Sequence, residues 1–183
     1  MLVESLGTSL IIGKIRGGSF SNIASEEIKG WGFIVLSFVL EYGTVFFAGR
    51  GYSIVKNNIL YIHIFTYLLL FIGLIINLKK YPFCIITIGV LLNFIVIFAN
   101  GGQMPVSKEA LESVGLLKNI SLIENGSAIT HRLIDSGTKL RYLADIFSVG
   151  KKGFFPSVFS IGDIFMSVGI FIYIQKLMLK KDK

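Results

Sequence analysis

Charge is what this chain has least of. Only 16% of its 183 residues are Asp, Glu, Lys or Arg, against about 25% in an ordinary soluble domain. What charge there is lies between apolar blocks. Residues 59–78 and 82–99 contain none. Each block is close to the roughly 20 residues that an α-helix needs to cross the hydrocarbon core of a bilayer. Cysteine is also scarce. The single Cys84 excludes an internal disulfide and any multi-cysteine metal site, and it reads as a small buried hydrophobe. The two histidines, His63 and His131, could join Asp145 and Asp163 as metal ligands, but ligands scattered without close spacing argue against a metal. We expect no metal and no cofactor.

What the chain has instead is apolar length. It is 53% hydrophobic, with a mean hydropathy of +0.73. That composition predicts an integral membrane protein. Five apolar segments stand out, at about 2–13, 31–49, 59–78, 82–99 and 160–178. Trp31 opens the second, as suits a membrane interface. Asn77 to Pro82 makes a tight turn between the third and fourth, and Pro82 fits a helix start. The first segment spans about 20 Å if helical, short for a crossing, and Gly17-Gly18 ends it. Because it precedes Lys14 and Arg16 and no small-residue cleavage site follows, we expect it to be retained rather than removed as a leader.

The net charge of +7 is not a nucleic-acid signal, since the basic residues sit at segment ends. Lys14, Arg16, Lys29, Lys79, Lys80, Lys176, Lys180, Lys181 and Lys183 fall on one side, and the short connection on the other side carries Arg50 and Lys56. The positive-inside rule then places the C-terminus in the cytoplasm and loop 100–159 outside. In that loop, residues 107–118 predict a short amphipathic helix, N-capped by Ser107 and ended near Gly115. The expected fold is an all-α membrane protein: one domain over 1–183, a bundle of four or five transmembrane helices with a structured extracytoplasmic loop.

Two carboxylates are the candidates for chemistry. Asp163 stands at the mouth of the last apolar segment, and Asp145 lies 18 residues upstream. Carboxylates forced together share a proton, so one polarises a carbonyl while the other activates water. A membrane edge sharpens this by excluding water. The alternative is local: Ser160-Ile161-Gly162-Asp163 also spells a helix capping box. Asn100-Gly101-Gly102 follows the fourth segment. It offers backbone N–H groups to a substrate or oxyanion, or else a glycine helix terminus. Glu41 lies near the middle of the second segment, where an ionised group costs roughly 2.5–3.5 kcal/mol on insertion scales. It serves a proton or ion pathway, or an interhelical hydrogen bond. Asn93 reads as interhelical glue.

The C-terminal third resembles lipoprotein signal peptidase, the membrane aspartyl protease also called signal peptidase II. The residues that carry the resemblance are Leu143-Ala144-Asp145-Ile146-Phe147, then Phe155-Pro156, Phe159-Ser160-Ile161-Gly162-Asp163 and Gly169. Ser160 and Gly162 stand where that family has Asn and Ala. The resemblance implies a catalytic pair at Asp145 and Asp163 on the outer leaflet, with Asn100 and Gly102 matching the family's Asn and Gly after a membrane helix. The whole chain resembles an uncharacterised bacterial membrane family with an Asn-Gly-Gly-x-Met-Pro-Val-Ser loop and a terminal Ser-x-Gly-Asp helix.

The expected function is a membrane hydrolase of the bacterial plasma membrane, an aspartyl peptidase acting on a lipid-anchored or membrane-inserted substrate. Asp145 and Asp163 are its catalytic residues, and Asn100, Gly101, Gly102, His131 and Ser160 its substrate contacts. Its partners are membrane lipid and a membrane-anchored protein or peptide. The competing expectation is a non-enzymatic protein, a small transporter or a subunit of a larger membrane complex, in which Glu41 and Asn93 matter most.

Overall fold

The computed structural model describes residues 2–24, 26–151 and 154–180. Helix α1 runs over Leu2–Ile15 and the short α2 over Ser21–Ala24. Three long apolar helices follow: α3 (Trp31–Gly49), α5 (Ile59–Ile75) and α6 (Tyr81–Ala99), with the one-turn α4 (Ser53–Asn57) before α5. The connection after α6 folds into β1 (Met104–Val106), α7 (Lys108–Ser113), α8 (Leu117–Glu124), β2 (His131–Leu133), β3 (Phe147–Lys151) and β4 (Phe154–Phe159). Helix α9 closes the chain over Ile161–Met178.

Three helices, α3, α6 and α9, are long and apolar enough to cross a membrane, and α5 is a shorter apolar helix of 17 residues. The third segment was expected to run to residue 78. Its helix stops at Ile75 because Asn77 turns back: its amide donates to the carbonyls of Gly73 and Lys29, and its Oδ1 accepts from Lys29 N–H. The described residues are mostly helical, as expected, and the structured connection between α6 and α9 adds four short strands. β1 and β2 pair in parallel, with Met104 opposite His131, and β3 and β4 form an antiparallel hairpin, with Phe147 opposite Phe159. Three-residue strands are too short to show an alternating pattern in sequence.

The helices pack in the order α1, α9, α6, α5, α3. Lipid supplies no hydrophobic drive between such helices, so close packing of small residues has to hold them. Ser5, Ser9 and Gly13 fall four apart and so share one face of α1. Ser5 Oγ donates to the Ser167 carbonyl, the Ser9 main-chain carbonyl accepts from Gln175 Nε2, and Gly13 lies against Met178. At the α6–α9 crossing a Cβ on Gly89 would sit 2.5 Å from the Gly162 carbonyl oxygen. Only glycine permits that approach, and it brings Asn93, one turn along α6, onto the first turn of α9. The core at the other end is Leu74, Phe83, Val90, Tyr173 and Leu177, with Phe83 edge-on to Tyr173 at 5.0 Å. There Glu26 binds Lys80 at 2.8 Å and Lys180 at 3.3 Å. The outer surface of α3 stays apolar and uncovered, with Phe33, Leu36, Val39 and Phe46 all exposed.

Candidate functional site

At the end of the bundle where α6 finishes and α9 begins, a cavity of about 180 Å³ opens between the helices and the β1–β2 sheet. Glu41 from α3, His63 and Tyr67 from α5, Asn93 from α6, His131 from β2, Asp163 from α9 and Asp145 all line it. The polar residues of five separate elements converge on one volume.

Asp163 is held there by a closed ring of hydrogen bonds. Ser160 is the N-cap of α9, and its Oγ accepts from the Asp163 amide at 3.0 Å. Asp163 Oδ2 accepts from the Ser160 amide at 3.0 Å, completing the capping box. Asn93 then bridges to α6: its Nδ2 donates to Asp163 Oδ1 at 3.1 Å, and its Oδ1 accepts from Ser160 Oγ at 2.9 Å. The helix N-terminus adds a favourable field for negative charge.

Asp145 is held by its main chain only. Its amide donates to the Pro105 carbonyl and its carbonyl accepts from Ser107 N–H, both at 2.9 Å. The residue is 7% exposed, and its Oδ1 is buried without a hydrogen-bond partner. Oδ2 stands 3.7 Å from His131 Nε2. Burial, and then the charge of Asp163, push the Asp145 carboxyl up to about 8. Partial loss of water also lowers the pKa of His131, whose side chain is 44% exposed and whose Nδ1 meets Thr130 Oγ1 at 2.9 Å. Both shifts favour the neutral forms, a protonated acid beside an unprotonated imidazole, over an ion pair.

A second contact faces the first across the cavity. His63 Nε2 lies 3.4 Å from Glu41 Oε1, and His63 Nδ1 meets the Gly102 carbonyl at 2.6 Å.

A family model described as a family of unknown function, DUF5317, matches residues 26–175. The chain belongs to DUF5317. The matched span takes in every residue that lines the cavity. No curated protein matches the chain, and no solved structure matches it.

Other expected contacts in this DUF5317 chain do not reach the cavity. The side-chain amide of Asn100 donates to the Val96 and Lys139 carbonyls, and its Oδ1 accepts from Lys139 N–H. That ties the loop to the end of α6. Gly101 and Gly102, at φ +72° and +89°, return their N–H groups to Phe98 and Ile97. This is a Schellman helix terminus, so neither N–H is free for a substrate. Ser160 is fully buried as a cap. Among the described residues no group of three His, Cys, Asp or Glu is arranged to hold a metal. The sequence had suggested His63 only as a scattered metal ligand and had left Tyr67 and Thr130 aside. A histidine in an otherwise uncharged helix, with one intramembrane Glu in the chain to answer it, was the available signal for His63.

Proposed function

We propose that this protein is a membrane hydrolase of the aspartyl peptidase type, with Asp145 and Asp163 as its acid–base pair. The observation that carries the proposal is their unequal placement in one cavity. Asp163 is surrounded by donors that favour its charged form, and Asp145 is buried with an unmet oxygen and a carboxyl pushed up to about 8. Unequal surroundings for two carboxyls in one cavity divide the labour between them. Ionised Asp163 takes a proton from a water while protonated Asp145 gives its proton to the scissile carbonyl oxygen. As the C–N bond of the resulting diol breaks, Asp163 gives its proton to the leaving amine nitrogen and Asp145 takes one from a diol hydroxyl, which restores both carboxyls. The resemblance of residues 143–169 to lipoprotein signal peptidase agrees with this division.

The setting completes the proposal. Four or five helices cross the bacterial plasma membrane, the basic end faces the cytoplasm and the cavity opens at the outer surface. The substrate is a lipid-anchored or membrane-inserted peptide. To test it, membranes from cells making wild type, Asp145→Asn or Asp163→Asn protein are compared for newly formed peptide termini in membrane proteins. Termini that appear with wild type and vanish with both variants are expected. Termini that persist in either folded variant would rule out the dyad, because general acid–base work needs that group within hydrogen-bond reach.

The Glu41–His63 contact favours a second reading, a proton-coupled transporter. Under it Glu41→Gln abolishes function, whereas a hydrolase tolerates the change.

A further inference from the structure

We propose that His63 is a positioning residue for Asp145, acting through the segment Gly102–Val106. For its effect on activity this rests on the hydrolase reading. The geometry stands without it.

The argument begins with the imidazole. A carbonyl only accepts, so the 2.6 Å contact with the Gly102 oxygen places a proton on His63 Nδ1. In the neutral ring Nε2 is then a bare lone pair. It is buried and makes no hydrogen bond, and it points at Glu41 Oε1 from 3.4 Å. The ring is held by its Nδ1–H bond to Gly102, while Nε2 stays unpaired beside Glu41.

Gly102 passes that hold to the loop. A Cβ there would come within 2.7 Å of the Leu60 backbone, so the residue is seated directly on α5, three positions before His63. Two residues later Met104 N–H donates to the Thr130 carbonyl at 2.8 Å, next to His131. Pro105 and Ser107 then grip both main-chain polar groups of Asp145. One imidazole therefore sets the start of β1, and β1 sets the acid. An exact main-chain grip matters here because the Asp145 side chain has no hydrogen bond of its own to keep it in place.

The groups facing Asp145 are Glu41 from α3, His63 and Tyr67 from α5, His131 from β2 and Asp163 from α9. The test follows Asp145 itself, in the full-length protein reconstituted in lipid nanodiscs. The infrared carbonyl stretch of its protonated carboxyl is identified by its loss in Asp145→Asn and titrated with pH. His63→Asn keeps a donor near the Nδ1 position and gives up Glu41. His63→Gln reaches toward Glu41 and gives up Gly102. Glu41→Gln offers an amide N–H to the bare Nε2.

We expect Glu41→Gln and His63→Asn to leave the Asp145 midpoint within roughly half a unit of wild type. His63→Gln should lower it by about one unit, a tenfold loss of proton affinity, as β1 loosens and water reaches the acid. Equal shifts in His63→Asn and His63→Gln would overturn the proposal, since ring bulk rather than the Gly102 bond would then be at work. So would an unshifted His63→Gln. If His63→Gln does not fold, a shifted midpoint in folded His63→Asn overturns it alone. Wild-type membranes that form no new termini would remove the hydrolase reading and leave this pattern standing.

Discussion

Asp163 and Asp145 face one cavity from regions built in opposite ways. The start of α9 gives Asp163 a donor for each carboxylate oxygen, two from its own turn and α6 together, at 3.0 and 3.1 Å. The stretch beside β1 gives Asp145 two main-chain bonds and leaves one side-chain oxygen with nothing. A carboxylate that only holds a fold together normally has its oxygens satisfied. One kept buried, protonated and unpaired costs stability, and such costs gather at functional sites. The contrast separates a group that supports the helix from a group the helix bundle has to support.

The largest expected effect breaks the comparison from the Asp145 side. Its carboxyl is raised from 3.8 to about 8, so the folded protein holds this proton where the unfolded chain has lost it. Stability from this group is fully present below about pH 4, falls as pH rises, and levels off once the folded carboxyl titrates near 8. At about 1.4 kcal/mol per unit, the loss is several kcal/mol across that window. Asp145→Asn removes the titration. Unfolding measured in nanodiscs from pH 4 to 9 should show the variant gaining on wild type as pH rises, and exceeding it by pH 9. Parallel curves would mean that Asp145 is as well supported as Asp163.

Next in size is the bridge that makes Asp163 different. Asn93→Leu leaves Asp163 Oδ1 and Ser160 Oγ without their α6 partner. An unsatisfied buried polar group costs about 1–3 kcal/mol, so a loss of about 2 kcal/mol is expected in the same assay. An effect near zero would show that the capping box alone secures the carboxylate.

How much of this was legible in the sequence follows from the reach of each interaction. The span Trp31–Gly49, the Ser107 cap of α7 and the Ser160–Asp163 capping box depend on residues within a turn or two, and all were readable. The Gly101-Gly102 terminus was readable as one of two options. What escaped was joined across long separations. Asn93 meets Asp163 over 70 residues, and His63 meets Gly102 over 39. The parallel register of Met104 with His131 depends on a loop whose strands are too short to show a period. The small-residue face of α1 matters only because α9 lies against it. Asp145 and Asp163 could be named from the sequence, but their unequal surroundings could not.

A smaller effect tests the cap itself. Asp163→Asn keeps the shape of the side chain but weakens its hold on the Ser160 amide and the helix N-terminus. Loss of a cap costs about 1 kcal/mol, and that much is expected, with no gain at high pH. A variant that gains stability as pH rises, as Asp145→Asn should, would erase the distinction between the two acids.

The smallest effect concerns His131. At 3.7 Å from Asp145 Oδ2 it has the spacing of an ion pair. Yet partial loss of water lowers its pKa while the pKa of Asp145 is raised. The two shifts run in opposite directions and both favour the neutral forms, so charging the two together is disfavoured. The sign follows for His131 alone: the folded state resists its protonation, so its cost appears only as pH falls below the ordinary histidine value. His131→Gln should therefore leave the Asp145 infrared midpoint within roughly half a unit of wild type. A true ion pair would have held that midpoint down by 1–3 units, and losing it would raise the midpoint by as much. A large upward shift in His131→Gln would show that Asp145 is ionised beside a charged imidazole, which would make the two acids alike.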